Sequence, residues 1–133
     1  MADRQTALGL RELLKAEGLT SWPKTTGGKG LHVMAPLDRK LTHDAAHAHA
    51  KRLAQHLASL VPDLYTTNAD PRQRSGKLFL DYLRNGRGTT AVGAYSPRAR
   101  PGVPIAAPVT WREVERGIRP DAYTIEHPFR RRA

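Results

Sequence analysis

The sequence predicts an α/β fold in which two longer helices pack against a central, mostly antiparallel sheet. Two observations predict it. Apolar residues recur at helical spacing over residues 4–17 and 42–61. Strand-forming residues fill the shorter runs 31–34 and 77–83. We expect a single domain over residues 1–133, because this length suffices for one modest core and no linker-like stretch divides it.

Residues at their ends delimit the two predicted helices. Asp3 is the expected N-cap of the first, and Gly18 follows it where a left-handed C-terminal cap belongs. Thr42 is the expected N-cap of the second, which ends before Pro62. The buried stripe of the second helix is expected to contain Ala46, Ala50, Leu53, Leu57 and Leu60.

Two further features of the sequence concern helices. His43 and His47 have a spacing that can bind zinc, but neither a neighbouring HExxH glutamate nor a third ligand accompanies them, so a solvated face is the prediction. A third, short helix is predicted after Thr110, where Glu113 stands at the position that completes a capping box.

The run KTTGGKGLHVM, residues 24–34, places three glycines within four positions. Such a backbone can turn tightly and point successive amides at an anion, and Thr26 and Lys29 add a hydroxyl and a charge. The spacing is not that of a Walker A loop, and a strand follows instead of a helix. A phosphate-binding loop and a simple hairpin turn both remain open. His32, which lies inside the strand, is expected from its pattern to be structural.

The run KLFLDYL, residues 77–83, is predicted to be a strand buried on both faces, with Asp81 as a carboxylate among large apolar residues. A buried carboxylate requires a cation, a metal or hydrogen-bond donors. Spacing alone leaves two alternatives open, an ion pair with Arg84 or Arg87 and a metal ligand. Residues 89–94 are the predicted hairpin partner of this strand.

Residues 95–102, YSPRARPG, form a basic loop that we call the arginine loop. Arg98 and Arg100 are two apart, so in extended chain they point the same way and can clamp a phosphate. Solvated surface charge is the alternative. Prolines are expected to break the extended segment 103–109 that follows.

Charge is the strongest signal from the whole composition. Lys and Arg number 22 against 12 Asp and Glu, which gives a net charge of +10. A balance this basic indicates an acidic partner, nucleic acid first. There is no cysteine, and no apolar run approaches the roughly 20 residues that span a bilayer. We therefore expect a cytoplasmic protein without membrane contact and a disordered basic tail at residues 130–133.

Four motifs occur in a fixed order: KTTGGKGLHV at 24–33, LFLDYLRN at 78–85, TAV at 90–92 and YSPRARPG at 95–102. Together they resemble the polymerase (primase-like) domain of bacterial DNA ligase D, a member of the archaeo-eukaryotic primase superfamily, over about residues 4–129. The resemblance implies a primase-polymerase-like fold and a nucleotidyltransferase of non-homologous end joining. Such an enzyme adds nucleotides, often ribonucleotides, to a DNA 3′ end with two divalent cations, Mn²⁺ or Mg²⁺. The implied partners are DNA, nucleoside triphosphates, the ligase part and Ku, at the nucleoid.

The resemblance also implies roles for particular residues. Asp81 resembles the third of three catalytic, metal-binding acids. The triphosphate-binding set would be Thr26, where serine is more usual, with Gly27, Gly28, Lys29, Gly30 and Arg98. Contacts to nucleotide or template would come from Arg74, Arg84, Arg100 and His32.

One departure from the family pattern changes the expected activity. The other two metal-binding acids belong to a D-x-D motif, and this sequence contains none. We therefore expect the C-terminal portion of the domain, which has an exposed sheet edge and does not extend a primer by itself. The alternatives are an enzyme completed by a separate N-terminal piece, a non-catalytic module that binds nucleotide or DNA, and a decayed product without selected activity.

Overall fold

The computed structural model describes residues 2–28, 30–36, 42–67, 70, 72, 76–81 and 93–126. The chain forms two compact units, one from Met1–Pro36 with Val92–Ala133 and the other from Leu37–Ala91. Helices and short strands occur in both, so the predicted α/β class is confirmed. Among the described residues the strands form two separate two-stranded ladders, one antiparallel and one parallel, where the sequence predicted one central sheet.

In the first unit, helix α1 spans Ala2–Ala16. Asp3 thus lies in its first turn and not at the predicted N-cap. Gly18 has a φ of 79°, as predicted, and its N–H donates to the carbonyl of Lys15 at 2.9 Å. The N–H of Leu19 donates to the carbonyl of Leu14 at 2.9 Å. These two bonds satisfy carbonyls that the end of a helix otherwise leaves open.

Strands β1 (Trp22–Thr25) and β2 (Leu31–Met34) form the antiparallel ladder of this unit. Proline is usually confined to edge strands, but the other side of β1 is bonded as well. The Pro23 carbonyl accepts from Val109 N at 3.1 Å, and Thr25 N donates to the Ala107 carbonyl at 2.8 Å. Pro23 is tolerated because its carbonyl takes part in this pairing and needs no N–H.

The segment 103–109, which we call the central segment, holds the unit together. Besides β1, it pairs with the arginine loop and with the residues near Thr124, through isolated bridges such as Pro97 to Ile105 and Pro104 to Thr124. Residues 104–107 and 109 are buried. Prolines at 104 and 108 interrupt the ladder, as the sequence predicted, because they lack the N–H that a continuous strand requires.

The core of the first unit forms where α1 meets helix α3 (Trp111–Glu115). Its fully buried members are Ala7, Val109 and Val114, and partly buried residues pack around them: Leu8, Leu31, Val33, Trp111, Ile118 and Tyr123. The predicted capping box of α3 is confirmed, since Thr110 and Glu113 exchange side-chain to backbone bonds in both directions.

In the second unit, helix α2 spans His43–Leu60, and Thr42 Oγ1 caps it by accepting from Ala45 N at 3.1 Å. Strands β3 (Tyr65–Thr66) and β4 (Leu78–Phe79) pair in parallel. Of the predicted apolar stripe Leu57 is buried, but Leu60 is 59% exposed. No helix in the described part of the chain is long and apolar enough to cross a membrane.

The predicted strand over 77–83 is shorter in the structure. Only Leu78–Phe79 belongs to β4, Leu80 is buried beyond it, and Asp81 is exposed. The prediction that both faces are buried around Asp81 is therefore wrong. The alternating pattern misled because a two-residue parallel strand leaves the chain free to turn Asp81 outward. Residues 82–92 and the basic tail at 130–133 lie outside the described residues.

Candidate functional site

Residues 26–28 and 30, which we call the glycine loop, lie in a tight turn between β1 and β2. Thr26 closes this turn through its hydroxyl, which donates to the Gly30 carbonyl at 2.8 Å and accepts from Gly28 N at 3.0 Å. Thr26 N also donates to the Gly30 carbonyl, at 3.3 Å. The turn needs a left-handed residue, and Gly27 supplies it with a φ of 72°. The hydroxyl expected at a phosphate thus holds the loop itself in shape.

Backbone amides of the glycine loop also bond within the protein. Gly27 N donates to the Pro120 carbonyl at 3.0 Å, and Gly28 N donates to the Thr26 hydroxyl. Two successive amides expected to face an anion are therefore already satisfied. An anion at this loop would be held mainly by side chains beside it.

Arg98 is packed directly on the glycine loop. Its Nη1 donates to the Thr26 carbonyl at 3.0 Å across 72 residues of sequence. A Cβ placed on Gly27 would lie 2.7 Å from Arg98 Cγ and 3.3 Å from the Ile105 carbonyl carbon. Only glycine therefore leaves room at position 27 for the stem of Arg98.

Arg100 lies against the same loop from an exposed position. A Cβ placed on Gly28 would lie 3.0 Å from Arg100 Nη1. The structure thus brings both arginines of the R-x-R motif to the glycine loop, as the phosphate-clamp hypothesis requires. Two guanidinium groups beside one small turn create a positive potential at which an anion can bind bidentately.

Lys24 is a residue of this region that the sequence analysis missed. It pairs across the ladder with His32, and cross-strand partners project from the same face of a sheet. Lys24 is only 5% exposed, and burial lowers the pKa of its ammonium.

Four further predicted site residues lie in the second unit or outside the described residues. Asp81 follows β4 and belongs to the second unit, whereas the glycine loop and both arginines belong to the first. Lys29, Arg74 and Arg84 lie outside the described residues.

The donor set of the chain does not fit the two-cation site that the resemblance implies. Among the described residues, no group of three or more His, Cys, Asp or Glu side chains could hold a metal ion. The sequence contains no D-x-D pair to accompany Asp81. Two divalent cations held by carboxylates need more acidic oxygen ligands than one aspartate provides.

Comparison with known proteins identifies relatives over most of the chain. The family model described as "LigD, primase-polymerase domain" matches residues 2–133. The "Multifunctional non-homologous end joining protein LigD" of Pseudomonas aeruginosa is 46% identical over 103 residues, which are 77% of this chain and 12% of that protein. The "Bifunctional non-homologous end joining protein LigD" of Bacillus subtilis is 34% identical over 123 residues, which are 92% of this chain and 20% of that protein.

A solved structure agrees with these relatives. The "Polymerase Domain from Mycobacterium tuberculosis Ligase D in complex with DNA" superposes with a TM-score of 0.80 and 38% identity. The match covers 84% of this chain and 39% of that one. The chain thus spans a minor part of the length of each protein it resembles.

Proposed function

Since the chain belongs to the LigD primase-polymerase domain family, we propose that it forms the nucleotide-binding part of a DNA-repair nucleotidyltransferase. The relatives are proteins of non-homologous end joining by name. The observation that supports this role most directly is the docking of Arg98 and Arg100 on the glycine loop. A small turn flanked by two guanidinium groups suits the polyphosphate of a nucleoside triphosphate.

In this proposal the chain binds and orients the triphosphate. The glycine loop is held rigid by Thr26 and by the Pro120 carbonyl, so binding costs little further ordering of the backbone. The arginines neutralise phosphate charge.

The family reaction, addition of nucleotides to a DNA 3′ end with Mn²⁺ or Mg²⁺, uses a D-x-D pair that this sequence does not contain. We propose that Asp81 is one of the three acids of such a site and that the chain alone is not a polymerase. A primer-extension assay with Mn²⁺ and ribonucleotides tests this. No extension is expected from the isolated chain, and extension that disappears in Asp81→Ala would contradict the proposal.

Nucleotide binding is tested by calorimetric titration without metal. ATP and GTP are expected to bind with similar affinity, and AMP much more weakly, because the contacts are made to the polyphosphate and not to the base. Binding should weaken as salt is added, since exposed charges are screened. Arg112→Ala, which removes an exposed arginine from α3, is the matched control and should bind as the wild type does. Equal affinities for ATP and AMP would refute the triphosphate site.

DNA is the proposed macromolecular partner. The net charge of +10 supports this, and the solved relative of 38% identity is a complex with DNA. Phosphate contacts dominate such binding, so the logarithm of affinity should fall linearly with the logarithm of salt concentration. Affinity that did not change between low and high salt would exclude an electrostatic interface.

A second candidate function is a non-catalytic module that binds DNA or nucleotide within a repair complex. The lack of a D-x-D pair favours it. An experiment in which a polypeptide with the D-x-D segment of a relative is added to the chain distinguishes the two candidate functions. Primer extension in the mixture would support the part of a polymerase. A mixture that extends no primer would support the non-catalytic module. Ku and the ligase part are the proposed protein partners, in the cytoplasm at the nucleoid.

A further inference from the structure

Helix α2 holds most of the histidines of this chain. Four of the six lie in it: His43, His47, His49 and His56. Its other ionisable residues are two bases, Lys51 and Arg52, and one acid, Asp44, so its formal charge is +1 while the histidines are neutral. Histidine is the side chain whose charge ordinarily changes between pH 5 and 8. The charge of α2 therefore depends on pH, unlike that of α1 or α3, which contain no histidine.

Three of these basic residues line one side of the helix. His49, Arg52 and His56 follow one another at spacings of three and four residues, which places them in a row on a helix surface. We call this row the histidine stripe, and at 1.5 Å per residue it is about 10 Å long. Arg52 and His56 are exposed, and His49 is half-buried. His43 lies about two and a half turns before Arg52 and so projects from the opposite side of α2.

The contact between the first two members of the stripe indicates which form of His49 is present. Arg52 Nη2 lies 3.4 Å from His49 Nδ1. A guanidinium has only N–H donors, so Nδ1 accepts and the imidazole is neutral. Nε2, on the other side of the ring, is buried, and Nδ1 is therefore the nitrogen that a ligand can reach. A proton on Nδ1 would turn this acceptor into a donor and place two cations side by side.

We propose that the histidine stripe binds the phosphate backbone of DNA and takes up protons as it binds. This inference names a surface for the DNA partner proposed above and rests on that proposal. Two adjacent cations repel one another unless an anion lies between them, where it accepts hydrogen bonds from both. A phosphate beside Arg52 therefore favours the protonated form of His49, and by linkage protonation favours the phosphate.

The length of the stripe fits a strand better than a single nucleotide. Its three members are spread along about 10 Å of helix, whereas phosphates follow one another about every 3.4 Å along one strand of a duplex. Each member can thus meet a different phosphate of the same strand. A mononucleotide would reach one or two members only.

The described neighbours of the stripe bring no negative charge against it. Asp44 lies five positions before the first member and so on another side of the helix, and Asp63 is exposed beyond the helix end. Strands β3 and β4 of the same unit contain no acidic or basic residue, and the phenol of Tyr65 is their only titratable group. Lys51, the neighbour of Arg52 in the sequence, adds a further positive charge to α2.

The experiment measures the affinity of the chain for a fluorescein-labelled single-stranded oligothymidylate by anisotropy. Salt series are recorded at about pH 8 and about pH 5.5, on either side of the range in which histidine titrates. Each phosphate contact to a single strand contributes about −0.7 to the slope of log affinity against log salt, so two protonated histidines should steepen the slope by about 1.4. The affinity at a fixed salt concentration should rise roughly 10-fold or more.

Variants assign this effect to the stripe. The double variant His49→Gln, His56→Gln should have a slope that no longer changes with pH. His43→Gln removes an exposed histidine of α2 outside the stripe and is the matched control, which should retain the pH effect. Arg52→Gln should make the slope shallower by about 0.7 at both pH values. Melting temperatures at both pH values verify that each variant is folded.

Three outcomes would overturn the inference: a wild-type slope that is equal at both pH values, a pH effect that survives in the double variant, or a pH effect that disappears in His43→Gln. In each of these cases DNA would still bind, and the proposed DNA partner would stand without the stripe. If the chain bound no oligonucleotide at either pH, the proposed DNA partner would fail together with the stripe. The two failures are thus distinguishable.

Discussion

Replacement of Glu113 by alanine should destabilise the first unit by about 2 kcal/mol. Its carboxylate accepts from Thr110 N at 3.1 Å and from the Thr110 hydroxyl at 3.2 Å. The other oxygen accepts from the Tyr123 hydroxyl at 2.6 Å. One side chain therefore caps α3 and ties it to the residues that follow the helix.

The magnitude comes from these bonds. The alanine variant keeps the bond from the backbone N–H of position 113 to Thr110 Oγ1 but loses the return bond, about half of a cap worth roughly 1 kcal/mol. The bond between Tyr123 and a charged acceptor in a half-buried site contributes about 1.5 kcal/mol. Their sum is about 2 kcal/mol, enough to lower a urea midpoint by about 1–2 M at typical slopes.

Tryptophan fluorescence during urea unfolding reports on this unit alone. The chain has two tryptophans, Trp22 and Trp111, and both belong to the first unit. Glu126→Ala removes an exposed glutamate of the same unit and is the matched control. Tyr123→Phe should lower the free energy of unfolding by about 1.5 kcal/mol. The Glu113→Ala, Tyr123→Phe double variant should be destabilised by less than the sum of the two single variants, because both remove the same bond.

A result in which Glu113→Ala and Glu126→Ala unfold at the same urea concentration would refute the reasoning. Additive effects of the Glu113 and Tyr123 changes would show that the bond between them contributes nothing. Glu113→Gln separates the two parts, because glutamine still completes a capping box but offers Tyr123 no charge.

Three further predictions concern the same unit. Burial lowers the pKa of Lys24 from 10.5, so the folded state loses the ammonium proton at a lower pH than the unfolded state does. The stability of the wild type relative to Lys24→Met should therefore rise with pH up to about 10.5. A difference between the two denaturation midpoints that does not change with pH would contradict this. Gly27→Ala should lower the stability by about 2 kcal/mol or more, because the backbone there is left-handed and the stem of Arg98 lies beside it. Gly30→Ala is the control: its Cβ would meet nothing within 4 Å, so its melting temperature should be that of the wild type. Arg11→Leu should lower the free energy of unfolding by about 1 kcal/mol. Arg11 forms an ion pair with Glu115 of α3 at 2.7 Å, and its guanidinium lies 5.2 Å from the Trp111 ring centroid. An unchanged urea midpoint would show that these contacts contribute little to stability.

Local chemistry made several elements predictable. The caps at Thr42 and Thr110 and the left-handed Gly18 depend on residues within four positions of one another, and the structure has all three. The same holds for the glycine turn between β1 and β2. The contact of the two motif arginines with that turn was implied by the family resemblance and not by local chemistry.

Features set by distant contacts were not predictable. The sequence around Pro23 does not indicate that residues 107 and 109 form hydrogen bonds with the other side of β1. The outward position of Asp81 depends on β4 pairing in parallel over only two residues. Lys24 is buried in β1, although a lysine at this position predicts an exposed side chain. The partners of β1 in the central segment lie more than 80 positions along the chain, and periodicity carries no information about them.

The pairing of β1 with the central segment has a consequence for folding kinetics. Thr25 and Ala107 are 82 positions apart, and the hydroxyl and backbone N–H of Thr25 both bond the backbone of Ala107. Closing a flexible loop of that length costs about 4 kcal/mol of chain entropy before any contact is made. The first unit should therefore form slowly. Because the closure cost grows only logarithmically with length, doubling the intervening stretch would cost just about 0.6 kcal/mol. The first unit should therefore tolerate insertions between residues 36 and 92 much better than insertions in the central segment.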